Sequence, residues 1–260
     1  MKLEYASRGL VGVLTPQANT TVEPELAALW PPGIAMVAAR MTSAKPSMEA
    51  RLLEYYLRLD ETVQQFGNAP LGVLASACTG ASYLLGAARE EALFSGLAAR
   101  LGIPVTHSAM AVVAALQSLG ARRIALVSPY PPSLTEQSVA YWTSRGLQVV
   151  AVQACESSPD GAFHPIYAMS AAMIAAAIGR LAATSGMQAV VLLGTGTPTL
   201  AAVLQHPVWA GAPVFSCNMA LAWHSLALMD PARPPQAEAL LEMISGRDWR
   251  DAFLKRQGGA

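Results

Sequence analysis

The sequence predicts an α/β protein of two pseudo-symmetric, doubly wound halves, each a mainly parallel sheet flanked by helices, with a cleft between them. Short apolar runs alternate with helix-length segments along most of the chain. The runs are apolar on both faces, as strands covered on two sides must be. Three motifs also occur twice, in the same order. Leu14-Thr15-Pro16-Gln17 is echoed by Val127-Ser128-Pro129-Tyr130. Cys78-Thr79-Gly80 is echoed by Gly194-Thr195-Gly196, each with a leucine six residues on, Leu84 and Leu200. The run from Pro104 to Ala111 is echoed by that from Pro213 to Ala220. The offsets are close but unequal, as two diverged halves with different loops would give.

The elements follow in order. An apolar strand over 9–14 leads through Thr15 to Thr20 into a helix over 21–29, whose first turn is acidic (Glu23, Glu25). A strand over 34–39 and a long helical pattern over 48–66 come next, then a strand over 72–76. A helix over 80–101 starts directly after Cys78-Thr79. The strand over 104–106 closes the first half, and the helix over 109–119 leads into the second. The second runs strand 123–128, helix 134–145, strand 148–152, helix 166–185, strand 189–193, helix 199–206, strand 213–216 and helix 219–227. The Ala-rich stretch 170–183 reads as a helix packed on a sheet. Asp230-Pro231-Ala232-Arg233-Pro234-Pro235 reads as a linker to a short polar helix. This divides the chain into a first half, 1–109, onto which 218–260 packs back, and a second half, 110–217. Right-handed crossovers place all the strand C-termini of a sheet on one edge, where open α/β folds bind ligands.

Composition narrows the function. Hydrophobic residues make up 53% of the 260 and charged residues 13%, enough apolar surface for a sizeable core. The formal net charge is zero and there is no basic run, which argues against nucleic-acid binding. No stretch approaches the roughly 20 uninterrupted apolar residues of a membrane span, and Met1-Lys2-Leu3-Glu4-Tyr5 has no signal-peptide pattern. Cys78, Cys155 and Cys217 show no CxxC or Cys/His spacing, and His107, His164, His206 and His224 are scattered. The expectation is a cytoplasmic protein without structural disulfides and without metal. No GxGxxG follows the first strand and there is no Walker lysine, so a nicotinamide or ATP site is not expected.

The repeated segments are where chemistry is expected. Each sits after a strand, in the loop opening the next helix, where free backbone N–H groups bind a carboxylate or another oxyanion. Cys78 reads as a nucleophile or proton donor at a helix N-terminus, or as a buried structural thiol. Tyr130 reads as a donor to a developing oxyanion or as a loop aromatic covering the core. Asn19 either binds a carboxylate or caps the helix near Thr21. His164 either faces the cleft or is solvated. Cys217 reads as structural, Cys155 as a surface thiol, and His107 as a hydrogen-bonded structural residue.

Taken together, Thr15-Pro16-Gln17-Ala18-Asn19-Thr20, the run from Ser76 to Tyr83, Ser128-Pro129-Tyr130 and Gly194-Thr195-Gly196 resemble the aspartate/glutamate racemase superfamily. The branch they are most similar to holds arylmalonate decarboxylase and maleate cis-trans isomerase, and the resemblance covers most of 9–227. It implies an enzyme without cofactor or metal. Racemases and isomerases of the family use two cysteines, one per half; the decarboxylase keeps only the second, with glycine at the first position. This chain has the reverse, Cys78 at the first position and Gly194 at the second. By the resemblance Thr79 and Tyr130 contribute to an oxyanion pocket, with Gly80 offering only its N–H. Thr195 and Gly196 supply backbone donors, Pro16 and Gln17 lie in the active-site loop, Asn19 matches a carboxylate-site asparagine, and His164 falls near a second one. With no acid or base at Gly194, two-base racemisation is disfavoured. The implied activities are decarboxylation of a substituted malonate with Cys78 as proton donor, or cis-trans isomerisation of a maleate-type dicarboxylate with Cys78 as nucleophile. A different class also fits the cleft, a catalytically inactive protein that binds small carboxylates. The spacing of Thr79, Ser82 and Gly86 follows the decarboxylase pattern. The expected partner is a small dicarboxylate; homo-oligomerisation is left open.

Overall fold

The computed structural model describes residues 3–156, 165–230 and 236–258. The first half runs β1 (Gly9–Pro16), α1 (Val22–Leu29), β2 (Ile34–Met41), α2 (Met48–Leu57), α3 (Leu59–Val63), β3 (Val73–Ser76), α4 (Thr79–Leu85), α5 (Ala87–Leu101), β4 (Val105–His107) and α6 (Ser108–Ser118). The second runs β5 (Arg123–Ser128), α7 (Pro132–Ser144), β6 (Gln148–Ala154), α8 (Ala171–Arg180), β7 (Ala189–Leu192), α9 (Leu200–Gln205), β8 (Val208–Trp209), β9 (Ala212–Ser216) and α10 (Cys217–Met229). The helices α11 (Ala237–Ser245) and α12 (Arg250–Arg256) follow.

The strands form two sheets, ordered β2-β1-β3-β4 and β6-β5-β7-β9-β8. All pairings are parallel except β8 with β9. Apart from the β8 edge, the two sheets have the same order and sense, so the duplicated sequence is a duplicated topology. β3 and β7 are buried along their whole lengths, as inner parallel strands read from near-continuous apolar runs. Register aligns the strand ends. Leu14 pairs with Ser76 in the first sheet and Val127 with Leu192 in the second. The segments beginning at Thr15 and Ala77 therefore leave one edge side by side, and those beginning at Ser128 and Leu193 do the same in the other half. α4 packs against α7, bringing the two edges together, while α10 leaves the second sheet to pack on α1, α6, β3 and β4. One apolar cluster spans both halves; a second, around Leu14, Met41, Tyr56 and Phe94, belongs to the first.

Several expected elements are interrupted. The pattern over 48–66 kinks at Arg58 (φ −108°, ψ 22°), so that α2 packs on α4 while α3 turns along β2. The helix over 80–101 breaks at Gly86 (φ +79°), a conformation open to glycine, whose N–H donates to Ser82 O. The helix over 166–185 shortens to α8, because Ser170 caps it by accepting from Met173 N–H, after a 3₁₀ turn over Pro165–Ala168. β8 was not expected. The C-terminal helix is two helices and is not wholly polar: Leu240, Ile244 and Trp249 are buried. The expected linker over 231–235 lies outside the described residues.

Candidate active site

The loops leaving the four aligned strands surround one cleft. Pro16 and Asn19 line it from the first loop, Cys78, Thr79 and Gly80 from the second, Tyr130 from the third, and Thr195 and Gly196 from the fourth. These residues are far apart in sequence and meet only through the register described above.

Cys78 is the residue before α4, in extended backbone (φ −148°, ψ 104°), and is 2% exposed. Its carbonyl accepts from the Tyr56 hydroxyl at 2.6 Å. Burial pushes its thiol from 9.0 up to about 12, partly offset by the backbone N–H groups of Ala81 and Gly80. Desolvation thus outweighs the helix start here, and the thiol carries its proton at neutral pH. Beside it, the Thr79 and Tyr130 hydroxyls lie 2.9 Å apart. Burial raises the Tyr130 phenol well above its ordinary value, so it too stays protonated and can donate. Tyr83 stands edge-on to the Tyr130 ring, centroids 6.0 Å apart, and holds it in place. A methyl at Gly80 would meet Leu52 Cδ1 at 2.9 Å, so α2 approaches this turn closely.

Asn19 does both things that its position suggested. Its Oδ1 accepts from Thr21 N–H at 2.8 Å and Val22 N–H at 3.1 Å, capping α1. That fixes the amide flip and turns Nδ2 toward the second half, 3.4 Å from Thr195 Oγ1. The Arg40 guanidinium donates to Asn19 O at 2.8 Å and pairs with Glu23, holding the loop from outside.

The second-half loop has no room for a mirror thiol. Gly194 has φ +85°, and a Cβ there would stand 2.7 Å from Pro129 Cγ and 3.1 Å from Ile166 Cδ1. At Gly196 a Cβ would fall 2.4 Å from the Tyr167 ring. The Thr195 hydroxyl donates to Ala77 O at 2.9 Å, tying the two loops together one residue before Cys78.

Gln17 is not brought to the cleft: its Oε1 accepts from Ser43 N–H at 2.7 Å. His164 lies outside the described residues. Cys217 is fully buried and does not line the cleft. Cys155 departs from the expected surface thiol; it is half-buried at the end of β6, and its N–H donates to Ser128 O at 2.8 Å. His107 is buried, stacked on Phe94, 3.3 Å from Glu90 Oε1. Sequence reasoning missed Met48, Leu52, Ile166 and Tyr167, which supply the apolar wall. Met48 and Leu52 are one helical turn apart on α2, a face visible in the spacing; Ile166 and Tyr167 carry no such signal. Among the described residues no acidic, His or Cys cluster could hold a metal, and no helix is long and apolar enough to cross a membrane.

Comparison with known proteins places this geometry. A family model described as arylmalonate decarboxylase matches residues 11–241. The chain is 29% identical over 249 residues to maleate isomerase of Nocardia farcinica, covering 90% of this chain and 96% of that protein. It is 32% identical over 158 residues to maleate isomerase of Geobacillus stearothermophilus, a match spanning 54% of this chain and 60% of that protein. Among solved structures, a cysteine-to-serine mutant of Nocardia farcinica maleate cis-trans isomerase with a covalently bound succinylcysteine intermediate superposes with a TM-score of 0.74 at 26% identity, over 90% of this chain and 98% of that one.

Proposed function

Because the chain belongs to the arylmalonate decarboxylase family, we propose that it is a cofactor-independent enzyme that decarboxylates a substituted malonate, with Cys78 as the proton donor. The C–C bond to one carboxylate breaks, CO₂ leaves, and the electron pair delocalises onto the remaining carboxylate as an enediolate. Thr79 and Tyr130 donate to its oxygens, with the N–H groups of the Cys78 and Gly194 loops around them. Cys78 S–H gives its proton to the α-carbon, and the thiolate regains one from water.

The observation that carries this reading is geometric: Cys78 lines the cleft as its one thiol, next to Thr79 and Tyr130, while Gly194 across from it has no room for a second. Burial pushes its thiol up to about 12, which agrees with a group that gives a proton rather than one resting as a thiolate. It stands beside two protonated hydroxyls 2.9 Å apart. The apolar wall of Met48, Leu52 and Ile166 suits the departure of CO₂ and the substituent of the malonate. Racemisation through a second thiol is disfavoured further by Pro129 and Ile166 closing on Gly194.

A second reading, maleate-type cis-trans isomerisation with Cys78 as nucleophile, is favoured by a specific observation: the superposing isomerase carries a succinylcysteine. In that reading Asn19 Nδ2 and Tyr130 hold the carboxylates while Cys78 adds to the double bond and later leaves. A third is a carboxylate-binding protein without turnover. Incubation with methylphenylmalonate, maleate, aspartate and glutamate in D₂O, followed by NMR, decides between them. The proposal expects CO₂ loss from the malonate with one deuteron at the α-carbon. Conversion of maleate with the malonate untouched would replace it by the second reading, and no change in any substrate by the third.

A further inference from the structure

Glu25 carries a buried carboxylate whose role no site residue explains. It sits on α1, yet α1 is already capped by Asn19, and the residue is 5% exposed. Its partners come from the start of α9 and from α10. Oε1 accepts from Thr199 N–H and, at 3.1 Å, from Leu200 N–H. Oε2 accepts from the Thr199 hydroxyl at 3.0 Å and from Asn218 Nδ2 at 2.8 Å. The Asn218 amide also donates to Thr195 O at 3.1 Å. Glu25 therefore fixes Asn218, and Asn218 fixes the direction of one carbonyl in the cleft loop.

That carbonyl belongs to the peptide whose N–H is Gly196's. In a trans peptide C=O and N–H point to opposite sides of one plane, and there is no cis bond in the described chain. Drawing Thr195 O toward Asn218 thus turns the Gly196 N–H the other way. The next carbonyl, Gly196 O, is held by the Thr21 hydroxyl at 2.9 Å. Both peptides flanking Gly196 are pinned by first-half residues or through them, and Gly196 lines the cleft.

We propose that Glu25 is a positioning residue that, through Asn218, aims the Gly196 N–H at a carboxylate of the bound substrate. This rests on the reading of the cleft as a dicarboxylate site. Glu25 touches no substrate; it acts by removing the alternative orientation of one peptide.

The test is Glu25→Gln and Asn218→Ala, separately and combined, with methylphenylmalonate as substrate and Kd for malonate measured by calorimetry. Loss of one well-aimed hydrogen bond to a charged group is expected to raise KM and Kd about tenfold or more, with kcat changed much less, since the bond serves ground and transition states alike. The double variant should be no worse than the poorer single one, because both act on one peptide. A merely structural role would lower Tm and leave KM and Kd within twofold in the folded protein, and that result overturns the inference. Should Glu25→Gln fail to fold, Asn218→Ala alone decides, since it leaves the bonds from Thr199 and Leu200 to Glu25 in place. Wild type that binds malonate without decarboxylating any substrate would end the decarboxylase reading and leave the Kd comparison decisive. Wild type that binds neither malonate nor maleate would overturn both.

Discussion

At the scale of single residues, the site is a set of protonated donors around one thiol. Cys78→Ala removes only the sulfur, at a position whose carbonyl, not its side chain, holds Tyr56. Turnover should vanish while the circular dichroism spectrum and Tm stay close to wild type, whereas Cys155→Ala should leave kcat unchanged. Retained activity in Cys78→Ala would end the donor and the nucleophile readings together. Tyr130→Phe should lower kcat by about 10²–10³, the usual loss for one oxyanion donor, with KM little altered; a raised KM alone would mean plain substrate binding. The sequence made Cys78, Thr79, Tyr130 and Asn19 legible because each stands at a strand end within a motif that has a counterpart in the other half or matches the family. Gln17 has the same position but its side chain follows Ser43, which no motif encodes. Gly194 was legible as a missing thiol but not as a closed one. Its left-handed backbone and the contact with Pro129 are properties of packing, so cysteine cannot simply be added there.

At the scale of elements, the strands were legible and the helix interruptions only partly so. Buried parallel strands announce themselves by apolar runs, and every expected strand is present. β8 escaped because two residues between Pro207 and Gly211 are too short to show a period. The kink at Arg58 has no proline or glycine to mark it, since the change of packing partner from α4 to β2 imposes it. The break at Gly86 has a local cause. With φ +79° and ψ 155° it occupies a region almost confined to glycine, and a Cβ would meet nothing within 4 Å. Gly86→Ala therefore tests backbone strain without a steric clash. It should cost about 1–3 kcal/mol of stability, read as a lowered midpoint in urea with unchanged slope. A midpoint equal to wild type would show that alanine carries no strain at this backbone conformation.

At the scale of the whole molecule, two like halves are locked by buried polar groups as well as by apolar packing. Glu25 reaches α9 and α10, and Glu90 on α5 accepts from Tyr141 on α7 and from Arg145 just after it. Near this second lock His107 and His224 are buried neutral. Burial lowers His107 from 6.5 to about 4 despite Glu90 beside it, and lowers His224 to about 4 as well. Between pH 6.5 and 4 the unfolded chain thus binds protons that the folded chain refuses, so stability rises with pH across that window and levels off above it. Each histidine contributes at most about 1.4 kcal/mol per pH unit there. The raised carboxyl of Glu25 gives the opposite slope above 4.5. Tm should fall from pH 7 to pH 5, and His224→Gln should flatten that fall; a Tm independent of pH over this range would mean the histidines titrate normally. The central claim is that one thiol on one side of the cleft delivers the proton, with Gly194 closed on the other. It is tested most directly by the configuration of the product formed from methylphenylmalonate in D₂O, resolved by chiral chromatography with mass detection. The account predicts a single enantiomer of 2-phenylpropionate carrying one deuteron at the α-carbon; a racemic product would contradict it.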